Sequence, residues 1–167
     1  MKIYELEDQK ASDFGLYLPN ILELEDDEQI MYITETIDYS GFMVFGYKNG
    51  KVSKVPLESY ETKTNRRRLV NAYSDEDECI GMCFVPEDTY VLAIRSDGRA
   101  IVFDSSLIRV KAKRDARGTQ AMRITQKTTC MLLQSAKHLD EGQIKKYKYS
   151  RIPATGKFLE DKIYSIG

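Results

Sequence analysis

Histidine is nearly absent from this chain: His138 stands alone among 167 residues. A triad built on His has one possible member and no nucleophile-elbow motif to serve it, and Lys137 and Asp140 beside it suit a surface position. Cysteine is scarce too. Cys79, Cys83 and Cys130 form no CxxC pair, which argues against a disulfide framework and for a reduced, cytoplasmic setting. Cys79 and Cys83 lie four apart on a stretch that reads as a strand, so both are expected on one face as core, and no metal site is expected. No run approaches the roughly 20 apolar residues of a membrane helix, and MKIYELEDQK is no secretory leader. A phosphate loop of the form GxxxxGK[ST] is missing, so no nucleotide cofactor is expected. The acidic runs 26–28 and 74–78 lack the twelve-residue spacing of a calcium loop and read as solvated turns. Little here supports an enzyme in its own right.

What is present is charge segregation. Net charge is only -1, yet residues 1–60 hold 5 Lys/Arg against 12 Asp/Glu, whereas 61–167 hold 20 against 14. A basic half on a nearly neutral chain suits a polyanion-facing surface, or else a dipolar and inert one. The stretch 111–124, KAKRDARGTQAMRI, gathers Lys111, Lys113, Arg114, Arg117 and Arg123 around Gly118. A second cluster, Lys63, Arg66, Arg67 and Arg68, precedes it by about 50 residues, and Lys145, Lys146 and Lys148 follow in KKYKYSR, which reads as an exposed strand with Tyr inward.

The chain repeats itself. FMVFGYKNGKVSKVPLESY (42–60) lies over YVLAIRSDGRAIVFDSSLI (90–108) at an offset of 48. Each copy is strand, turn, strand, and Asn49-Gly50 and Asp97-Gly98 predict two-residue type I′ hairpin turns. Before each hairpin, 15–33 and 67–85 read as apolar strand, acidic turn, apolar strand, with only 23–29 open to a helical reading. The expected fold is all-β: about three propeller-like modules of four short strands in a partial or open ring. The repeats are placed at 15–62, 63–113 and 114–167, with 1–14 completing a preceding module, and 141–158 is expected to be strand-rich. One module cannot bury its own sheet faces, so neighbours must stack.

NGKVSKVPLESYET, RRRLVNAYSDEDECIGM and SDGRAIVFDSSLIRVKAKRDARGTQAMRI, in that order and spacing, resemble the C-terminal domain of type IIA DNA topoisomerase A subunits, those of gyrase and topoisomerase IV. Arg114, Ala116, Arg117, Gly118 and Ile124 match a family segment Arg-x-Ala-Arg-Gly-x-x-x-x-x-Ile. The resemblance implies a β-pinwheel whose blades exchange strands and whose basic rim binds and bends duplex DNA. It also implies no catalysis by the chain itself. Its partners would be double-stranded DNA, a cleavage domain of the same parent subunit that carries the nucleophilic tyrosine, and an ATPase B-type subunit. Lys63, Arg66–Arg68, Lys111, Lys113, Arg114 and Arg117 would lie on connections between blades, with Gly118 turning the backbone into the next one. Two departures stand out: the gyrase heptapeptide Gln-Arg-Arg-Gly-Gly-Lys-Gly is absent, and Arg67 stands where the family has Gly. The acidic front half implies a DNA path that avoids the first blade. A stand-alone propeller-like protein-interaction module is the other reading.

Overall fold

The computed structural model describes residues 6, 8–26, 28–62, 69–160, 163 and 164. Its strands are β1 (Phe42–Tyr47), β2 (Lys51–Pro56), β3 (Cys79–Val85), β4 (Tyr90–Arg95), β5 (Arg99–Asp104), β6 (Thr119–Gln120), β7 (Cys130–Ser135), β8 (Lys148–Tyr149) and β9 (Lys157–Phe158). Two short helices, α1 (Leu18–Leu22) and α2 (Glu141–Tyr147), complete the set. The strands form two open sheets, one ordered β3-β1-β2-β6 and the other β7-β4-β5-β8, with β9 also pairing β5.

Both predicted hairpins are present, β1 with β2 and β4 with β5, but the turns differ from expectation. Gly50 N–H donates to the Tyr47 carbonyl at 2.8 Å and Gly98 N–H to that of Arg95 at 2.9 Å. Gly50 and Gly98 have φ of +76° and +79°, while Asn49 and Asp97 are not among the positive-φ residues. Each is therefore a three-residue loop with its left-handed residue at the end, not a two-residue type I′ turn. The dipeptide signalled the hairpin correctly because glycine, in either geometry, supplies the left-handed position.

β1, β4 and β5 are largely apolar because each sheet is covered on both faces, whereas β2 buries Ser53 and Lys54 beside its valines. Val44, Val52, Cys83 and Val85 of the first sheet pack against Val91, Ala93, Ile101, Phe103 and Leu133 of the second. The outer face of the first sheet buries Met43, Phe45, Tyr47, Val55 and Leu57 beneath Tyr39 and Tyr60. The outer face of the second buries Leu92, Ile94, Ala100 and Val102 with Leu139, Tyr147 and Ile163. The offset of 48 maps Met43 to Val91 and Val44 to Leu92, so equivalent residues face the same way and the sheets stack front to back, as propeller blades do.

The connections weave between the sheets. After β5 in the second sheet the chain returns to the first as β6, pairing Lys51 with Gln120 and Val52 with Thr119. It then goes back to the second as β7. The strands of 114–167 thus join both sheets, and the described residues contain two sheets in all.

Four expectations need correction. Residues 15–33 hold α1, with Pro19 in its first turn, and no strand among the described positions; α1 ends at Leu22, so none of the described residues of the acidic run after it is helical. Residues 69–78 contain no strand before β3. Residues 141–147 are helix rather than strand, started by a capping box in which the Asp140 carboxylate accepts from the Gln143 N–H and the Gln143 side chain accepts from the Asp140 N–H. Cys79 and Cys83 face opposite ways: β3 pairs Gly46 with Gly81 but Tyr47 with Cys79, and the extra residue reverses the alternation. Cys83 therefore enters the core between the sheets and Cys79 the outer one. The same irregularity recurs where β4 faces β7: Ile94 pairs with Leu132 but Arg95 with Cys130.

Candidate nucleic-acid interface

The basic stretch forms the crossover from the second sheet back to the first. Ile108 anchors its start in the core, and Lys111 N–H donates to the Lys54 carbonyl at 2.8 Å, tying the crossover to β2. At its far end Gly118 passes so close to β2 that a Cβ there would fall 2.7 Å from the Val52 carbonyl oxygen. The glycine serves a close backbone approach rather than a left-handed turn, for its φ is not positive.

Between these anchors the side chains separate by role. Lys113 is exposed and Lys111 half-buried. Arg114 turns inward: its guanidinium donates to the Ser59 carbonyl at 3.3 Å and lies 5.7 Å from the Tyr60 ring centre. Tyr60 donates in turn to the Ala72 carbonyl at 2.6 Å. Burial raises the Tyr60 phenol well above its ordinary value, the Arg114 charge opposing it. Ser59, Val70, Asn71, Lys113 and Arg114 together line a cleft of about 390 Å³. The chain on either side of 63–68 therefore meets the 111–117 crossover along one edge of the first sheet. Lys63, Arg66, Arg67 and Arg68 themselves lie outside the described residues.

Arg117 is 83% exposed, with its Nε 3.6 Å from a Glu76 oxygen. The other Glu76 oxygen accepts from the Lys51 ammonium at 2.8 Å, and Glu78 pairs with Lys48. Lys51's hydrogen bond, more than the charges of Lys51 and Arg117, holds the Glu76 carboxyl below its usual range. The segment 74–78 is thus an ion-paired turn rather than a merely solvated one. Sequence reading passed over Lys48 and Lys51; the available signal was a lysine on each side of Asn49-Gly50 with four acids among five residues about 25 positions later.

The remaining cations stand elsewhere. Arg123 is exposed at the seam of the sheets, its N–H donating to Ala154 and its carbonyl accepting from the Arg95 guanidinium. Lys145 and Lys146 lie on α2 rather than on the expected strand, which is confined to β8, where Lys148 is exposed and Tyr149 turns toward the core. Lys146 pairs with Glu160, and Lys148 donates to the Tyr90 hydroxyl at 2.5 Å with its ammonium 4.6 Å from that ring's centre. Lys145 and Lys148 share a separate open cleft of about 500 Å³ with Tyr90 and Ile144. Burial pushes the Cys83 and Cys130 thiols up to about 12 and about 11, leaving neither a nucleophile near neutral pH. Among the described residues no cluster of His, Cys, Asp and Glu has a metal-holding arrangement, and no helix is long and apolar enough to cross a membrane.

Open sheets stacked front to back, exchanging strands through a basic crossover, define the molecule as an open β-pinwheel. In sequence and in fold it resembles the C-terminal domains of the A subunits of DNA gyrase and topoisomerase IV. The DNA gyrase A subunit of Escherichia coli (strain K12) is 28% identical over 111 residues, which is 65% of this chain and 13% of that protein. The DNA gyrase A subunit of Streptomyces coelicolor is 30% identical over 112 residues, 63% of this chain and again 13% of the relative. The crystal structure of the C-terminal domain of DNA topoisomerase IV superposes with a TM-score of 0.64 at 23% identity, covering 80% of this chain and 42% of that one. The E. coli ParC C-terminal domain gives 0.58 at 13% identity, covering 89% and 67%. No family model matches the chain. The matched regions correspond to a non-catalytic part of type II topoisomerase A subunits.

Proposed function

We propose that this chain is a duplex-DNA-binding and DNA-bending module of a type IIA topoisomerase A subunit, without catalytic activity of its own. It presents a DNA segment for ATP-dependent strand passage in the cytoplasm, carried out by the parent's cleavage domain together with an ATPase B-type subunit. The observation that carries this reading is the meeting of the 111–117 crossover with the flanks of the 63–68 cluster on one sheet edge. Resemblance to gyrase A and to topoisomerase IV C-terminal domains supports it. Lys63, Arg66–Arg68, Lys111, Lys113, Arg117 and Arg123 would contact phosphates, with Lys145, Lys146 and Lys148 as a second strip. Arg114 would brace the crossover as much as touch DNA.

Phosphate contacts of this kind are sequence-independent and release condensed counterions. Bending 20–30 base pairs costs on the order of 1–6 kcal/mol, offset by the added contacts. With six to eight such contacts, affinity for random duplex falls roughly a thousandfold or more between 50 and 200 mM salt. A titration of random-sequence duplex at several salt concentrations tests this. Absence of binding, or a salt slope near zero, would leave the protein-interaction reading in its place.

A further inference from the structure

The turn at 75–78 is docked on the first hairpin by a backbone carbonyl and by the Asp77 carboxylate, independently of the Glu76 and Glu78 side chains. Lys48 N–H donates to the Glu78 carbonyl at 2.9 Å and Asn49 N–H to the Asp77 carboxylate at 2.7 Å. Glu76 and Glu78 do something else: they spend their carboxylates on Lys51, Arg117 and Lys48. All three pairs are at least partly exposed, and pairs of that kind contribute only about 0–1 kcal/mol to folding. Glu76 also joins cations from two different elements, the β2 strand and the crossover, through its two oxygens, the manner in which a phosphate would engage them.

We propose that Lys48, Lys51 and Arg117 form a further phosphate-binding row, and that Glu76 and Glu78 act as a built-in phosphate mimic competing with DNA for it. The proposal rests on the duplex-DNA reading above and adds Lys48 and Lys51, two residues of the acidic front half, to the DNA path. A DNA phosphate approaching the hairpin must displace a carboxylate already in place. Binding is therefore weaker, and less salt-dependent, than the number of cations along this edge implies.

The test is the full chain carrying Glu76→Gln and Glu78→Gln, titrated with a random 30-base-pair duplex by fluorescence anisotropy between 50 and 200 mM salt. Freeing the row is expected to tighten binding by about fivefold or more near 100 mM salt and to steepen the log–log salt slope by about 0.9 for each further phosphate neutralised. Adding Lys51→Gln to that double variant should take most of the gain away. Wild-type binding with a normal salt slope, unchanged in the double variant, overturns the mimic and leaves the DNA reading intact. No binding by either protein overturns both. Should the double variant melt below the assay temperature, Glu78→Gln alone, at a side chain 62% exposed, is read by the same criteria.

Discussion

Lys54 occupies in the first sheet the place that Val102 holds in the second, 48 residues on, and it is just as buried. Its ammonium pairs with Asp88, lies 3.4 Å from the Ser105 carbonyl oxygen and stands 4.4 Å from the Phe42 ring centre. Asp88 in turn accepts from the Ser105 hydroxyl at 2.6 Å. Asp88→Ala strands the buried ammonium and should cost about 1–3 kcal/mol in urea unfolding, less than for a fully buried pair because the Asp88 side chain is 44% exposed. Lys54→Met, which imitates the second sheet, should stay within about 1 kcal/mol of the parent. The hydrogen bond from Lys54, then that from Ser105, holds the Asp88 carboxyl below its usual value of 3.8. A depressed carboxyl contributes its stability in full above the unfolded value and loses it as pH falls through the folded one. Melting temperature should therefore drop more steeply below about pH 4 in the parent than in Lys54→Met. The hairpin glycines give a second comparison. Gly98→Ala meets only the left-handed backbone, for nothing lies within 4 Å, and should cost about 1–2 kcal/mol. At Gly50 the new Cβ also falls 2.5 Å from the Met122 carbonyl oxygen, so Gly50→Ala should cost at least about 1 kcal/mol more in the same assay.

Elements were legible where local chemistry determined them. Both hairpins announce themselves through Asn49-Gly50 and Asp97-Gly98 between apolar runs, because a turn and its flanking strands are encoded within about fifteen residues. The helix α2 was missed because the Lys/Tyr alternation of 145–149 imitates a strand. Asp140 and Gln143 already carried the capping signature, and Ile144 and Tyr147 the i, i+3 spacing of one helix face. That cap has a measurable weight: Asp140→Ala should lower stability by about 1 kcal/mol and loosen the cover that Tyr147 and Ile144 place over the second sheet. Hydrogen exchange at the amides of 143–147 checks it. The opposed faces of Cys79 and Cys83 were beyond a period-two reading, since a bulge is defined by the partner strand it faces.

For the whole molecule, the separation of exposed from braced cations sets the outcome of charge reversal. Lys113 and Arg117 project from the crossover, so Lys113→Glu with Arg117→Glu should leave the melting temperature nearly unchanged. The same pair should weaken duplex binding and reduce the salt slope by about 0.9 for each phosphate no longer neutralised. Arg114→Glu should do both kinds of damage, because it also removes the interactions with Ser59 and Tyr60 that hold the crossover against the first sheet. Thermal melts beside anisotropy titrations separate the two behaviours. The basic crossover itself was visible as a run of five cations around Gly118; its counterions on the acidic turn were not.

From its sequence alone this protein was determined to be a β-hairpin repeat with an acidic front, a basic back and a cationic connection, since dihedral preference, strand period and charge are properties of short segments. Which sheet each strand joins, how β6 and β7 cross between sheets, and which carboxylates lie on which lysines were decided only by tertiary structure. Lys48 and Glu78 are 30 residues apart and meet because β3 pairs with β1 in one sheet, while Lys54 and Asp88, 34 apart, meet because the chain passes from β3 to β4 between the two sheets.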